Sequence, residues 1–277
     1  MEQTISNIYN KVAQIKETII IKESNDICKA WDSKVGGKAY LLEDDEYPVS
    51  FDSSETFEFL IQINCNDLPD NELFPKKGLL QFFINHEYSF EKEDKPFEIR
   101  YIENIITDDD LLDYDIEDEY DEDDNPEVDE DDDNETMIEE EIKITFEKAF
   151  DHINSTTIEW DSFKGKMASA LYEYRDELDD YDSMIKDSNY LEDLDFILDD
   201  EKVLEVMHSS KLLGYPDNFD EDIRLSDYKY HDYILLLQLS LAADYFDNED
   251  ETNICWFIKE EDLKALNFNN VICSYFR

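Results

Sequence analysis

The chain has 277 residues, of which 41% are hydrophobic and 13% aromatic, and it carries a net charge of −51 at pH 7. This apolar content suffices for a sizeable core, so the composition excludes a chain that is disordered throughout. A surface this acidic repels the phosphates of nucleic acids and anionic lipids, and it attracts cationic proteins over long distances. We therefore expect no nucleic-acid and no membrane partner, whereas a basic protein is the partner that the charge favours.

The N-terminal segment has the pattern of an amphipathic helix over residues 3–22. Apolar side chains recur at helical spacing and predict a stripe that packs against a sheet; they are Ile5, Ile8, Tyr9, Val12, Ile15 and Ile19. The first residues lack the basic and apolar blocks of a signal peptide. The longest apolar run, around 234–243, is shorter than the ~20 residues that a membrane helix needs. These features predict a cytoplasmic protein.

The segment 24–102 is predicted to form three strands, at 57–63, 78–84 and 97–102. Each is an apolar run bounded by Asn, Asp, Pro or Gly, which is typical of strands and the turns between them. The Gly36-Gly37 pair indicates a backbone bend that residues without a Cβ adopt cheaply.

An acidic tract at 107–141 follows, with 22 acidic side chains between Asp108 and Glu141 and no basic residue. Its apolar content is too low to offset the entropy cost of ordering, which predicts a disordered insertion. A calcium loop beginning at Asp121 is the alternative. That register places Pro126 where the loop needs a glycine and an aspartate where it needs a bidentate glutamate, so a solvated charge tract is favoured.

The segment 142–207 connects this tract to the C-terminal part of the chain. We expect one strand from Ile142, a helix over 159–178 and shorter helices near 190–207, because the apolar residues change there from alternation to helical spacing. Residues 208–277 return to apolar runs of strand length.

Four elements recur in the same order near the two ends of the chain. Ser33 matches Ser210 at an offset of 177, and Gln62 matches Gln238 at an offset of 176. The two strands that follow match at an offset of 174. Such agreement predicts an internal duplication instead of a solenoid, whose period would be far shorter.

We therefore predict a single domain over 1–277 with an α+β fold. Mostly antiparallel β-sheets would form two pseudo-symmetric halves, at 24–102 and 208–277, with an N-terminal helix and with helices between the halves.

Several motifs also carry a resemblance to a known family. The stretches SKVGGKAYL, FLIQIN, KKGLLQFFI, KLLGYPD, YILLLQL and WFIKEEDLKALNFNNV resemble those of the YwqG-like family, a domain whose function is not established. The resemblance covers 33–102 and 208–273 and implies an α+β fold rich in antiparallel strands, without catalytic residues to carry over. One departure is the turn after the second glutamine strand, where the family has Trp-Gly-Asp and this chain reads Tyr245 to Asp250.

Gln62 and Gln238 are the most informative polar residues, because each interrupts an apolar strand at a matching position. A buried amide must find hydrogen-bond partners or destabilise the protein. One interpretation is that each glutamine binds the backbone of the nearby loop. The other is that both glutamines, with Lys34 and Lys211, line a ligand-binding cleft where the halves meet.

The motifs of common enzymes are weak or missing in this sequence. The four histidines lie far apart, and the stretch after His86 lacks the second histidine of a zinc-protease motif. With only five glycines, phosphate-binding loops and nucleophile elbows are disfavoured. The four cysteines have no Cys-x-x-Cys spacing and are expected to be reduced structural thiols, with a disulfide or a metal site as the alternatives. We expect no catalytic residues, no metal site and no cofactor.

Three functional hypotheses follow from this sequence. The first is a non-catalytic cytosolic binding protein that captures a basic partner, as an immunity-type protein captures a cationic toxin. The second is a protein that binds a small ligand in the cleft between the halves. The third is an enzyme that uses carboxylates, since acid–base pairs among 75 acidic residues cannot be singled out by sequence.

Overall fold

The computed structural model describes residues 2–42, 45–49, 57–85, 96–108, 138, 140–178, 200–217, 222–241 and 252–276. The chain forms two compact units. The inserted unit is Lys22–Thr145, and the terminal unit combines Met1–Ile21 with Phe146–Arg277. The predicted first half lies in the inserted unit and the predicted second half in the terminal unit. Residues 109–137 and 139, most of the predicted acidic insertion, lie outside the described residues, as do the expected helices before residue 200.

Four helices are described, all in the terminal unit: α1 (Glu2–Val12), α2 (Trp160–Glu173), α3 (Glu201–His208) and α4 (Glu260–Lys264). Short 3-10 turns at Arg175–Glu177, Ile223–Leu225 and Tyr228–Tyr230 accompany them. The predicted helix over 159–178 is thus an α-helix that ends in a 3-10 turn. No helix in the described part of the chain is both long and apolar enough to cross a bilayer.

Ten strands among the described residues make a mostly antiparallel arrangement, so the predicted α+β class is confirmed. They are β1 (Lys16–Ser24), β2 (Lys34–Val35), β3 (Glu58–Asn64), β4 (Leu79–Ile84), β5 (Phe97–Ile102), β6 (Ile142–Asp151), β7 (Lys211–Leu213), β8 (Tyr233–Leu241), β9 (Thr252–Lys259) and β10 (Ile272–Phe276). Strand β6 belongs to both units, because its residues up to Thr145 lie in the inserted unit and the rest lie in the terminal unit. In the terminal unit the strand order is β10-β9-β8-β7-β1-β6, and in the inserted unit it is β6-β2-β3-β4-β5.

The N-terminal helix is shorter than the predicted 3–22. It ends at Val12, and β1 begins at Lys16. Three consecutive isoleucines, from Ile19 to Ile21, favour extended backbone because β-branched side chains restrict χ1 in a helix. The strand is completed by β7, whose Lys211 lies opposite Ile20. The apolar spacing fitted a helix, but a distant strand determined the conformation.

In the inserted unit, β3 and β4 form the core. All six residues of β4 are buried, as are six of the seven residues of β3. Strands covered on both faces have continuous apolar sequences instead of alternating ones, which is why their positions were predicted to within a residue. Phe57, Phe59 and Phe83 belong to one buried cluster here, and the rings of Phe59 and Phe83 lie 5.5 Å apart.

In the terminal unit, α1 packs against α2. Its buried residues Ile5, Ile8 and Tyr9 share one core cluster with Phe163 and Met167 of α2, as the stripe of the amphipathic pattern predicts. The ring of Tyr9 meets Phe163 edge-on at 5.8 Å, a favoured aromatic geometry.

Tyr9 also binds a histidine. Its hydroxyl lies 2.8 Å from Nδ1 of His152, and the two rings are stacked with centroids 5.8 Å apart. Burial lowers the pKa of His152, although Asp151 and Asp200 act in the opposite direction. We therefore assign His152 a neutral ring whose Nδ1 accepts from the tyrosine hydroxyl.

This arrangement predicts a stability that falls with acidification. A histidine whose pKa is lower in the folded than in the unfolded protein stabilises the fold above its unfolded pKa, and this stabilisation is lost as the pH falls below it. The free energy of unfolding in urea should thus drop more between about pH 7.5 and about pH 5 in the wild type than in His152→Gln. His231→Gln, at an exposed histidine, is the control and should keep the wild-type slope. Equal slopes for the wild type and His152→Gln would refute the assignment.

Candidate functional site

Gln62 lies in the middle of β3 and is fully buried. Its Nε2 donates hydrogen bonds to the carbonyl oxygens of Ala30 and Asp32, both at 2.8 Å. Its Oε1 accepts from the backbone N–H of Tyr40 at 3.1 Å and from Nε2 of Gln81 at 2.9 Å. The amide is therefore satisfied on both ends, mainly by the backbone of the loop around β2.

Gln238 lies in β8 and is also fully buried. Its Nε2 donates to the carbonyl oxygens of Met207 at 3.1 Å and Ser209 at 3.0 Å. Its Oε1 accepts from the backbone N–H of Asp217 at 2.7 Å and lies 3.8 Å from the thiol of Cys255. The interpretation that each glutamine binds its neighbouring loop is confirmed in both places.

The two glutamines make these bonds at the same spacing along the chain, and we call each glutamine, with the loop groups that it binds, a glutamine motif. Each nitrogen donates to the carbonyls four and two residues before a lysine, and each oxygen accepts from the N–H six residues after that lysine. The lysines, Lys34 and Lys211, lie opposite Gln62 and Gln238 in their ladders. The preceding serine, Ser33 or Ser210, accepts a backbone N–H from the glutamine strand.

Lys34 and Lys211 are both buried and both bind a carboxylate. Nζ of Lys34 lies 2.7 Å from Glu141, whose side chain is 37% exposed. Nζ of Lys211 lies 2.8 Å from Asp151, and neither of these side chains is exposed to solvent. Nζ of Lys211 also donates to two carbonyl oxygens of α3, those of Val206 at 3.2 Å and Met207 at 2.9 Å. A buried ammonium needs such a partner, because an isolated charge in the interior is strongly disfavoured.

A glycine packs against each of these carboxylates. A Cβ on Gly37 would lie 2.7 Å from the Cβ of Glu141, and one on Gly214 would lie 2.5 Å from Oδ2 of Asp151. Both glycines have positive φ. The residue before Gly214 is Leu213, which also has a φ of 64° and takes the left-handed conformation despite its Cβ. Here a leucine occupies the bend that the Gly36-Gly37 pair makes in the inserted unit.

The four predicted site residues thus fall into two places. Lys34 and Gln62 belong to the inserted unit, and Lys211 and Gln238 to the terminal unit. Their polar atoms bind the protein itself, which gives each pair a structural role. A ligand-binding cleft shared by both pairs stays a prediction.

A family model described as Domain of unknown function (DUF1963) matches residues 33–275, which include Lys34, Gln62, Lys211 and Gln238. The chain belongs to this family. A search of curated proteins finds no match.

Sequence reasoning missed the two carboxylates that bind the buried lysines of this DUF1963 domain, Glu141 and Asp151. Among 75 acidic residues nothing in the local sequence distinguishes them, because their lysines are distant in sequence. Oδ1 of Asp151 is buried and has no hydrogen-bond partner among the described residues, while Oδ2 accepts from the N–H of Tyr215 at 2.8 Å.

The cysteines of the domain are free thiols. Burial raises the pKa of Cys65 to about 12 and also raises that of Cys255, so these thiols stay protonated and unreactive. Within the described ranges no group of three His, Cys, Asp or Glu side chains is spaced to hold a metal ion. The calcium-loop alternative at Asp121, the turn at 245–250 and His86 lie outside the described residues.

We predict that Gln238→Met lowers the free energy of unfolding by at least about 2 kcal/mol. Methionine has a similar length but leaves the buried backbone groups of Met207, Ser209 and Asp217 without their partners. Gln62→Met should have a comparable effect. Urea denaturation is the measurement, and Gln14→Met, at an exposed position, is the control with an expected change below about 0.5 kcal/mol. Changes as small as that control would contradict a structural role for the amides.

The two lysines should differ in importance. Lys211→Met leaves the Asp151 carboxylate buried and unpaired and should cost about 3–5 kcal/mol. Lys34→Met should cost less, because the partly exposed Glu141 can be hydrated. Adding Asp151→Asn to Lys211→Met should recover part of the loss in a double-mutant cycle. Equal losses for both lysines, or strict additivity of the double variant, would contradict this explanation.

Proposed function

We propose that this protein is a non-catalytic cytosolic binding protein, a YwqG-like member of its family, that captures a basic protein partner as an immunity-type protein captures a cationic toxin. The observation that carries this proposal is the excess of 75 acidic over 24 basic residues. Even if every basic side chain neutralised one carboxylate, the protein would keep a charge of −51.

The basic residues themselves support the proposal, because the protein uses most of the described ones internally. Most lysines and arginines in the described ranges form ion pairs with Asp or Glu of the same chain. The excess of negative charge therefore remains for interactions with other molecules.

The electrostatic field of a net charge this large acts on a partner before the two proteins touch. Opposite charge on a partner raises the association rate constant by ~10- to 1,000-fold, and salt screens this effect beyond about 8 Å at physiological ionic strength. Charge complementarity also excludes acidic competitors. A protein that must intercept a cationic partner quickly gains from such a surface.

We further propose that the two glutamine motifs are copies of one ancestral half, so that 24–102 and 208–277 are pseudo-symmetric. The matching spacing of their hydrogen bonds supports this. So does a strand bulge at the same place in both, between Phe59 and Ile61 in β3 and between Leu235 and Leu237 in β8. The duplicated motifs would be the scaffold, and recognition would belong to the surface.

The salt dependence of partner capture tests the proposed function. Tagged full-length protein should retain a protein of high isoelectric point from its native cell extract at low salt and release it at high salt. A purified partner identified by mass spectrometry should then bind directly, with a dissociation constant that rises steeply with salt. A bait of equal negative charge and unrelated fold is the control. If this bait captures the same proteins, or if nothing basic is retained, the proposal fails.

Replacing the acidic tract tests its part in partner capture. Replacing 109–136 with a neutral Gly/Ser linker of equal length removes 18 acidic residues and no basic one. It spares Ile138, which is buried, and Glu141, which binds Lys34. We expect the association rate constant to fall by at least about tenfold with little change in the dissociation rate constant. A large rise in the dissociation rate constant would instead identify the tract as a contact surface.

A further inference from the structure

We draw no further inference here: the strongest candidate, the His208–Asp217 pair between the end of α3 and the loop after β7, where Nδ1 lies 2.7 Å from Oδ2, belongs to the site already described, because the backbone N–H of Asp217 binds Gln238.

Discussion

An amide group in the middle of an apolar strand must find its hydrogen-bond partners inside the protein, and the rest of this fold depends on where it finds them. Gln62 and Gln238 each bind two carbonyls and one N–H of a loop beside a two- or three-residue strand. Strands that short contribute few ladder bonds. The glutamine therefore supplies much of the order of the loop, and an unsatisfied amide would be costly in either place.

The buried lysines Lys34 and Lys211 lie in the short strands beside the same loops. Each introduces a positive charge that a carboxylate must neutralise in the interior. Lys211 and Asp151 are fully removed from solvent, whereas Lys34 binds a carboxylate that water still reaches. Burying the Lys211–Asp151 pair therefore costs more desolvation free energy, and the stability of this pair depends more on its geometry. The left-handed bends at Gly37 and Gly214 let the backbone approach the carboxylates closely, since a Cβ at either glycine would collide with them.

Charge and contact have separate roles in the proposed recognition. The excess of carboxylates acts at long range and does not select one orientation of a partner. Orientation requires groups held in fixed positions, which an excess of charge does not by itself supply. In the proposed capture, the electrostatic field therefore acts on the association rate constant, whereas short-range contacts set the dissociation rate constant.

The sequence alone determined the apolar strands β3 and β4, because strands buried on both faces leave a continuous hydrophobic signal. It also determined the position of β5, the charge and the two matching glutamines. It did not determine the end of α1, since the isoleucines before Lys22 fit a helix until β7 supplies a partner strand. Nor did it identify Glu141 or Asp151 as the partners of the lysines, or Tyr228 as exposed. Pairing and exposure depend on residues far apart in the chain, so only the tertiary structure decides them.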